Sequence, residues 1–261
     1  MAKHQAAKVD VLAVLVYPTN KDLGLAAAGQ AARTIRRAVR QRGEANIILA
    51  TGNSQLSFLT ALRLARRIPW ERVRIFHMDE YIGLPPQHPA SFSNFLRRHL
   101  LDQVKPLAFH PVPGQASDHE KACRDYESLL NAFPADLCVL GFGENGHLAF
   151  NDPPYADFQD PVWVKVVRLA EESRRQQVGE GHFAAVEEVP THAITLTIPA
   201  LLAAKQVLAV VPEGRKARAV WQALRGPVST DCPASILRSI THARLFLDVD
   251  SAAQAFRKDG G

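Results

Sequence analysis

The sequence is poor in cysteine, with only Cys123, Cys138 and Cys232 among 261 residues. An odd and scattered set of this kind fits neither a disulfide framework nor a zinc site, so we expect reduced thiols in a cytoplasmic protein. No apolar run approaches the roughly 20 residues of a membrane span. The first ten residues are too polar for a secretory signal. We therefore predict a protein without a membrane partner.

Several binding and catalytic motifs are also missing. No His, Cys, Asp and Glu residues share metal-ligand spacing, and no serine or cysteine lies in a nucleophile elbow. The net charge is +5, and residues 33–42 carry an arginine stripe. No helix-turn-helix, zinc finger or aromatic RNA-binding platform accompanies this stripe. We interpret it as a solvated helix face and predict neither a metal site nor a nucleic-acid partner.

Short apolar runs, typical of buried strands, alternate along the chain with amphipathic segments typical of helices. A strand at residues 9–16 precedes a helix at 22–41, and a strand at 47–50 precedes a helix at 56–67. This rhythm predicts right-handed crossovers and an α/β fold: a modified doubly wound, Rossmann-like, mostly parallel sheet flanked by helices. No linker or repeat is visible, so we predict a single domain over residues 1–261.

Residues 154–189 form the least regular part of the sequence and are rich in charged residues and glutamine. Long polar segments beside a site often act as lids. A peripheral pair of helices without any motion fits this composition equally well. We keep both hypotheses for this segment, and we predict a loose tail from residue 250 onwards.

An apolar run at residues 137–140 ends in a glycine-rich turn that carries Asn145, His147 and Asp152. Ligands of open α/β sheets bind beyond the carboxyl ends of strands. A histidine held by a side-chain acceptor can give and take a proton near neutral pH, so we predict a catalytic His147, with a structural histidine as the alternative. The glycine spacing also matches a dinucleotide fingerprint, but no ribose-binding carboxylate follows at the usual offset.

A second apolar run, at residues 73–78, leads directly into the acidic pair Asp79 and Glu80. One hypothesis makes these two residues a general base and its orienting partner. The other is an exposed acidic turn.

A third candidate is the loop of Thr51, Gly52, Asn53 and Ser54, which joins a predicted strand to a predicted helix. Glycine permits close backbone approach, hydroxyls donate hydrogen bonds, and the start of a helix favours an anion. Lys216 opens a later helix and would add a positive charge for a phosphate. A plain turn with a helix cap, and a solvated lysine, are the alternatives.

Two of these motifs can be written out in full. Met-Asp-Glu-Tyr-Ile-Gly-Leu at 78–84 is followed by His-Pro-x-Ser-Phe at 88–92, and Gly-Phe-Gly-Glu-Asn-Gly-His-Leu-Ala-Phe-Asn-Asp-Pro occupies 141–153. With these motifs the chain resembles, over nearly its whole length, the glucosamine-6-phosphate deaminase/isomerase family. The fold of this family is shared with 6-phosphogluconolactonases. The first motif resembles deaminases specifically, and lactonases share the Gly-His turn but lack the Phe-Asn-acid-Pro ending.

The resemblance implies isomerisation and deamination of an amino-sugar 6-phosphate, with glucosamine 6-phosphate giving fructose 6-phosphate and ammonia. By the same resemblance, Asp79 moves a proton from C2 to C1 of the opened sugar. His147 opens the ring, assisted by its partners Asn145 and Asp152. Isomerisation by a carboxylate base and a ring-opening acid requires neither a metal nor an organic cofactor.

The resemblance also implies a small-molecule sugar phosphate as the partner. Its 6-phosphate is expected at the loop of residues 51–54 and at Lys216. We expect Glu80 and Gly146 to contribute to the same substrate site.

Three positions depart from the family pattern. Asn145 stands where a carboxylate is usual, and Asp152 is one methylene shorter than the usual glutamate. The phosphate-binding arginine has no match near residues 176–179, where Arg174 is a candidate replacement. A 6-phosphogluconolactonase and a non-catalytic sugar-phosphate sensor therefore remain alternative functions, and the sugar epimer and a homo-oligomer are left open.

Overall fold

Strands and helices alternate along most of the chain in the computed structural model, which describes residues 5–153 and 155–256. The strands are β1 (Gln5–Val9), β2 (Leu12–Tyr17), β3 (Ala45–Leu49), β4 (Val73–His77), β5 (Asp79–Tyr81), β6 (Ala108–His110), β7 (Leu137–Leu140), β8 (Val164–Arg168), β9 (His192–Leu196), β10 (Val207–Val211) and β11 (Ala243–Asp248).

The α-helices, in chain order, are α1 (Asn20–Arg42), α2 (Leu56–Leu64), α3 (Phe92–Leu96), α4 (Asp102–Val104), α5 (His119–Ala132), α6 (Glu171–Gly179), α7 (Ile198–Leu202), α8 (Ala217–Arg225) and α9 (Val249–Ala252). A π-helical turn joins α3 to α4, and 3-10 turns precede α2 and α8. In the part of the chain that the structure describes, no helix has both the length and the apolar character needed to cross a bilayer.

One large sheet has the strand order β1-β2-β11-β10-β7-β3-β4-β6. Only β1 runs antiparallel to its neighbour, and every other pairing in this sheet is parallel. From β3 the chain moves outwards to β4 and β6, and from β7 it moves in the opposite direction to β10 and β11. The predicted doubly wound, mostly parallel sheet is confirmed, and its strand order reverses between β3 and β7.

Strand β3 illustrates how this sheet is covered on both faces. Ile47 and Leu49 pack into one apolar cluster together with Leu23 of α1. Ile48, which points to the opposite face, packs into a second cluster that includes Val220 of α8. Because alternate residues of a strand face opposite sides, a sheet covered by helices on both faces requires an unbroken apolar strand.

A smaller antiparallel sheet, with the order β5-β9-β8, lies beside the large one. Its strand β8 pairs with β9 over Val164–Arg168, inside the segment 154–189 that we predicted as a lid or a helix pair. Helix α6 follows in the same segment. One part of the segment is therefore a strand within a sheet, and motion of the remainder stays a prediction.

The two ends of the chain differ from the predictions. Residues 9–16 were expected to form one strand, but Asp10 adopts a positive φ of 51°, and the chain turns there between β1 and β2. The prediction of a loose tail over residues 250–261 is wrong for residues 250–256, and its remaining part, residues 257–261, lies outside the described residues. Asp248 and Ser251 form a reciprocal capping box that starts α9, so the tail is ordered at this point.

Candidate active site

A cavity opens at the carboxyl ends of β3 and β7, where the strand order of the large sheet reverses. Its empty volume, counted together with the space at its mouth that is open to solvent, is about 590 Å³. The side chains and backbone around it come from the ends of several strands and from α6. The lining residues are Ala50, Thr51, Gly52, Ser54, Met78, Asp79, Phe92, Gly141, Phe142, Gly143, His147, Ala149, Phe150, Gln176, Gln177, Glu180 and Lys216. This is the position at which open α/β sheets bind ligands.

Asp79 lies in the cavity wall, because it is the first residue of β5 and β5 follows β4 almost directly. The residue is only 7% exposed, and no hydrogen bond from the described residues reaches its carboxyl group. Burial, with a smaller contribution from the neighbouring charge of Glu80, raises the pKa of Asp79 to about 8. A buried carboxyl group of this kind exchanges a proton near neutral pH, unlike an exposed aspartate.

Glu80 points away from this cavity and is not among its lining residues. Its carboxylate accepts hydrogen bonds from the backbone N–H groups of Tyr81, Phe92 and Ser93 at 2.9–3.1 Å, and from the Ser91 hydroxyl at 2.9 Å. Burial raises the pKa of Glu80, although these donors oppose the shift. The residue that we expected in the substrate site instead holds the turn that places Phe92 against the cavity.

His147 lies flat against the backbone of Gly143. A Cβ atom added to Gly143 would lie 2.2 Å from the imidazole ring, so only glycine leaves room for it. The ring Nδ1 is 2.8 Å from Asp152 Oδ1 and 2.8 Å from Asn145 Oδ1. Because two oxygens face Nδ1, we assign the ring hydrogen to this nitrogen, which leaves Nε2 free as an acceptor.

Asp152 lies behind His147 and is 1% exposed. Its Oδ1 accepts hydrogen bonds from Asn145 Nδ2 at 2.9 Å and from Ser173 Oγ at 2.7 Å, in addition to the contact with His147. Burial opposes ionisation of Asp152, but His147, Asn145 and Ser173 outweigh it and lower the pKa to about 2. The carboxylate therefore stays ionised and orients the imidazole.

The loop after β3 forms the opposite wall of the cavity. Gly52 has a φ of 95°, a conformation that favours glycine, and a 3-10 turn over Asn53–Gln55 then leads into α2. Thr51, Gly52 and Ser54 line the cavity, whereas Asn53 donates from Nδ2 to the carbonyl of Glu180 at 3.2 Å. Asn53 therefore tethers the loop to the residue that follows α6.

Lys216 reaches the same wall from the 3-10 turn that precedes α8. It is 2% exposed, and it forms no ion pair with any residue in the ranges 5–153 and 155–256. Burial, followed by repulsion from Arg215, lowers the pKa of Lys216. A buried ammonium group without a partner is costly, so the cavity is built to receive a negative charge here.

Sequence reasoning missed the residues that α6 and its C-terminal end bring to the cavity: Gln176, Gln177 and Glu180. The Gln-Gln-Val-Gly-Glu run at 176–180 gave no signal of its own, because a helix face that points to solvent is polar as well. Sequence reasoning also missed Ser173, one turn earlier, whose hydroxyl donates to Asp152.

Two residues predicted for the substrate lie elsewhere. Arg174 donates to the backbone carbonyls of Val186 and Val189, and it does not line the cavity. Gly146 has a φ of 83°, and its N–H donates to the carbonyl of Gly143 at 3.1 Å. Gly146 thus shapes the turn that carries His147 and is not in the cavity wall.

Within residues 5–153 and 155–256, no three or more His, Cys, Asp or Glu side chains are grouped so that they could hold a metal ion.

Comparison with known proteins agrees with this geometry. A family model described as glucosamine-6-phosphate isomerases/6-phosphogluconolactonase matches residues 18–246. A glucosamine-6-phosphate deaminase of Bacillus cereus strain B4264 is 36% identical over 238 residues, which cover 91% of this chain and 87% of that protein. A glucosamine-6-phosphate deaminase of Bacillus thuringiensis strain Al Hakam is 35% identical over 238 residues, with the same two coverages of 91% and 87%.

Among solved structures, a monomeric glucosamine-6-phosphate deaminase superposes with a TM-score of 0.85 at 29% identity, covering 92% of this chain and 99% of that one. The 6-phosphogluconolactonase of Trypanosoma brucei superposes with a TM-score of 0.76 at 19% identity, covering 95% and 99%, and shows the shared fold alone. The fold and the cavity are those of an α/β enzyme with acid–base groups at a strand-order reversal. The chain belongs to the family of glucosamine-6-phosphate isomerases and 6-phosphogluconolactonases.

Proposed function

We propose that this enzyme converts glucosamine 6-phosphate and water into fructose 6-phosphate and ammonia. The observation that carries the proposal is the content of one cavity. Three groups line it: a carboxyl group with a raised pKa (Asp79), an oriented imidazole (His147) and a buried lysine that forms no ion pair with the described residues (Lys216). These are the groups required to move a proton on carbon, open a sugar ring and hold a phosphate.

Ring opening is assigned to His147. The pyranose opens when a base removes the proton from the O1 hydroxyl and an acid protonates the ring oxygen. The neutral imidazole can accept a proton on Nε2 and return it, because Asp152 and Asn145 hold Nδ1 in one orientation at 2.8 Å. Asp152, whose pKa is lowered to about 2, stays ionised and stabilises the positive charge of the transient imidazolium.

Proton transfer between C2 and C1 is assigned to Asp79. Its carboxylate removes the proton from C2 and returns it to C1, while the carbonyl oxygen O1 gains a proton and the amine nitrogen loses one. These transfers turn the open aldose with its 2-amine into a ketimine at C2 with a hydroxyl group on C1. Water then adds to the ketimine, and ammonia leaves. A carboxyl group with a pKa of about 8 is a stronger base than an exposed aspartate, and it is near the ideal for exchange close to neutral pH.

The 6-phosphate is assigned to Lys216 and to the loop of Thr51, Gly52 and Ser54 on the same wall. Lys216 supplies a charge, and the backbone at the start of the helical segment supplies N–H donors. Asn53, Glu80 and Gly146 act as supports for this site and not as substrate ligands, because each of them bonds to the protein backbone.

The proposed enzyme works in the cytoplasm, which is consistent with three cysteines that are all buried and unpaired. All residues assigned above come from one copy of the chain, so a homo-oligomer is not needed to complete the site.

The test is a coupled assay of ammonia release with glucosamine 6-phosphate, with galactosamine 6-phosphate and 6-phosphogluconolactone as parallel substrates. We expect ammonia from an amino sugar and no lactone hydrolysis above background. Lactone hydrolysis without ammonia release would establish the lactonase function instead. Tight binding of the sugar phosphates without any turnover would establish the sensor.

A further inference from the structure

The anion end of the cavity contains a carboxylate as well as a lysine. Glu180 follows α6, lines the cavity together with Lys216, and has a side chain that is 7% exposed. A Cβ atom built on Gly52 would lie 4.0 Å from Glu180 Oε2, so the carboxylate faces the loop to which the phosphate is assigned. A negative charge here is unexpected in a site for a negative ligand.

Glu180 is held in this position by several donors. Its Oε1 accepts from Arg215 Nη1 at 2.7 Å and from Gln176 Nε2 at 2.8 Å, and His182 Nε2 lies 3.5 Å from Oε2. Burial opposes its ionisation, but His182, Arg215 and Gln176 outweigh it and lower the pKa of Glu180 to about 2. The carboxylate therefore stays charged at every pH at which the enzyme is expected to work.

Arg215 is already held by carboxylates of the protein. In addition to Glu180, it contacts Glu213 at 2.6 Å and Glu144 at 3.5 Å. Three carboxylates thus surround one guanidinium group, and Arg215 is not among the residues that line the cavity. Lys216 is the one cation among the residues lining this cavity that has no ion-pair partner in the described ranges.

We propose that Glu180 is a specificity-determining residue that sets how much negative charge the C6 substituent of the substrate can carry. With Glu180 ionised and Arg215 held by carboxylates, Lys216 is the one positive charge in the lining that no ion pair within the described residues occupies, and Glu180 already attracts it across the subsite. The subsite accepts a single negative charge, and it penalises the second charge of a phosphate dianion by repulsion from Glu180. This inference rests on the proposed function, because it assumes that the sugar's C6 group lies at Lys216.

The test uses two ligands of matched shape that cannot turn over, the 6-phosphate and the 6-sulfate of 2-amino-2-deoxyglucitol. At pH 8 the phosphate carries two charges, because its second pKa is about 6, whereas the sulfate carries one. Calorimetry measures the Kd of both ligands for the wild type, for Glu180→Gln and for the control Glu187→Gln. Glu187 is exposed, lies outside the cavity and loses the same charge in its variant.

For the wild type, we expect the phosphate to bind less than about 10-fold more tightly than the sulfate. Glu180→Gln should tighten phosphate binding by about 10- to 100-fold and sulfate binding by a clearly smaller factor. Glu187→Gln should change either Kd by less than about 2-fold, because an exposed charge is screened. If Glu180→Gln does not fold, the ratio of the two Kd values for the wild type still tests the inference.

Weaker binding of both ligands to Glu180→Gln would overturn the inference, because Glu180 would then serve to hold Arg215 for the ligand. An equal gain for both ligands, or no gain, would also overturn it, since charge would not be what Glu180 selects. A wild-type preference for the phosphate over the sulfate of more than about 10-fold would overturn it too. Binding of neither ligand to any of the three proteins would overturn the proposed function as well, whereas the other outcomes leave that function standing.

Discussion

The two ends of the cavity treat buried charge in opposite ways. At the end with His147, the carboxylate of Asp152 has three donors from the protein, so its charge is compensated before any ligand arrives. At the end with Lys216, the ammonium group has no ion-pair partner within the described residues. The difference indicates that the compensated charge of Asp152 orients a reacting group. The uncompensated charge of Lys216 marks the place where the ligand supplies the opposite charge.

Asp79 is intermediate between these cases. It is buried like Asp152 but has no donor to its carboxyl group from the described residues, and this is why its pKa rises to about 8 while that of Asp152 falls to about 2. The two buried aspartates are therefore suited to different tasks, proton transfer and orientation.

The largest effect is expected from Asp79→Asn, which keeps the shape of the side chain but removes the base. We expect the rate of ammonia release to fall by about 10²-fold or more, the usual scale for the loss of a general base. In the wild type, the rate should rise with pH up to about 8 as Asp79 ionises. Turnover near the wild-type rate in the steady-state assay would remove Asp79 from the mechanism.

Asp79→Asn, which should lower the activity, should raise the stability of the folded protein at high pH. The proton of Asp79 is bound more tightly in the folded state, with a pKa of about 8 against an ordinary value of 3.8. The wild type should therefore lose stability as the pH rises from about 4 to about 8, and the asparagine variant should not lose this part. Urea unfolding at pH 5 and pH 9 should show the variant to be more stable than the wild type at pH 9 by about 1–3 kcal/mol. An equal stability difference at both pH values would contradict the assigned burial cost.

The second effect concerns the compensated end. Asp152→Asn removes the charge that orients His147, and we expect turnover of the closed sugar to fall by about 10- to 100-fold, with a change in the acidic limb of the pH–rate profile. Asn145→Asp adds a carboxylate at the same ring nitrogen and should shift that limb in the opposite direction. If neither variant moves the acidic limb, His147 acts independently of these two partners.

Lys216→Ala tests the uncompensated end. We expect sugar-phosphate binding to weaken by about 1.5–3 kcal/mol, the scale of a charge-assisted hydrogen bond, so that KM rises much more than kcat changes. Thermal stability should not fall, because the ammonium group is buried and forms no ion pair within residues 5–153 and 155–256. An unchanged KM would place the phosphate elsewhere in the cavity.

The smallest effect is expected from Ser173→Ala. Its hydroxyl gives one of the three hydrogen bonds to Asp152 Oδ1, at 2.7 Å, while His147 and Asn145 remain in place. We expect a loss of about 3- to 10-fold in kcat, corresponding to roughly 1 kcal/mol for a single hydrogen bond. A loss as large as that of Asp152→Asn in the same assay would make Ser173 a principal partner of the relay.

Local patterns were sufficient to predict the large sheet and most of its site. Thr19 caps α1 by accepting from the Asp22 N–H, Gly43 ends it, and unbroken apolar runs mark β3 and β7. Asp79, His147 and Lys216 follow strands, and the strand-order reversal brings them to one cavity.

The remaining features depend on contacts that are distant along the chain. Glu80 looks like a site residue until its backbone donors at 91–93 are known. Strand β5 has only three residues, and its pairing with β9 joins positions more than 100 residues apart. The polar face of α6 reads as solvated until the fold places Gln176 and Glu180 against the loop of residues 51–54. No local periodicity carries this information.

One binding measurement tests most directly whether the cavity has one end with the reacting groups and another, at Lys216, that binds the charge of the ligand. Calorimetry with the 6-phosphate of 2-amino-2-deoxyglucitol compares the wild type, Asp79→Asn and Lys216→Ala at pH 7, where Asp79 is largely neutral. We expect Asp79→Asn to bind within about 3-fold of the wild type, and Lys216→Ala to bind about 10- to 100-fold more weakly. Equal losses in both variants, or a loss confined to Asp79→Asn, would contradict this expectation.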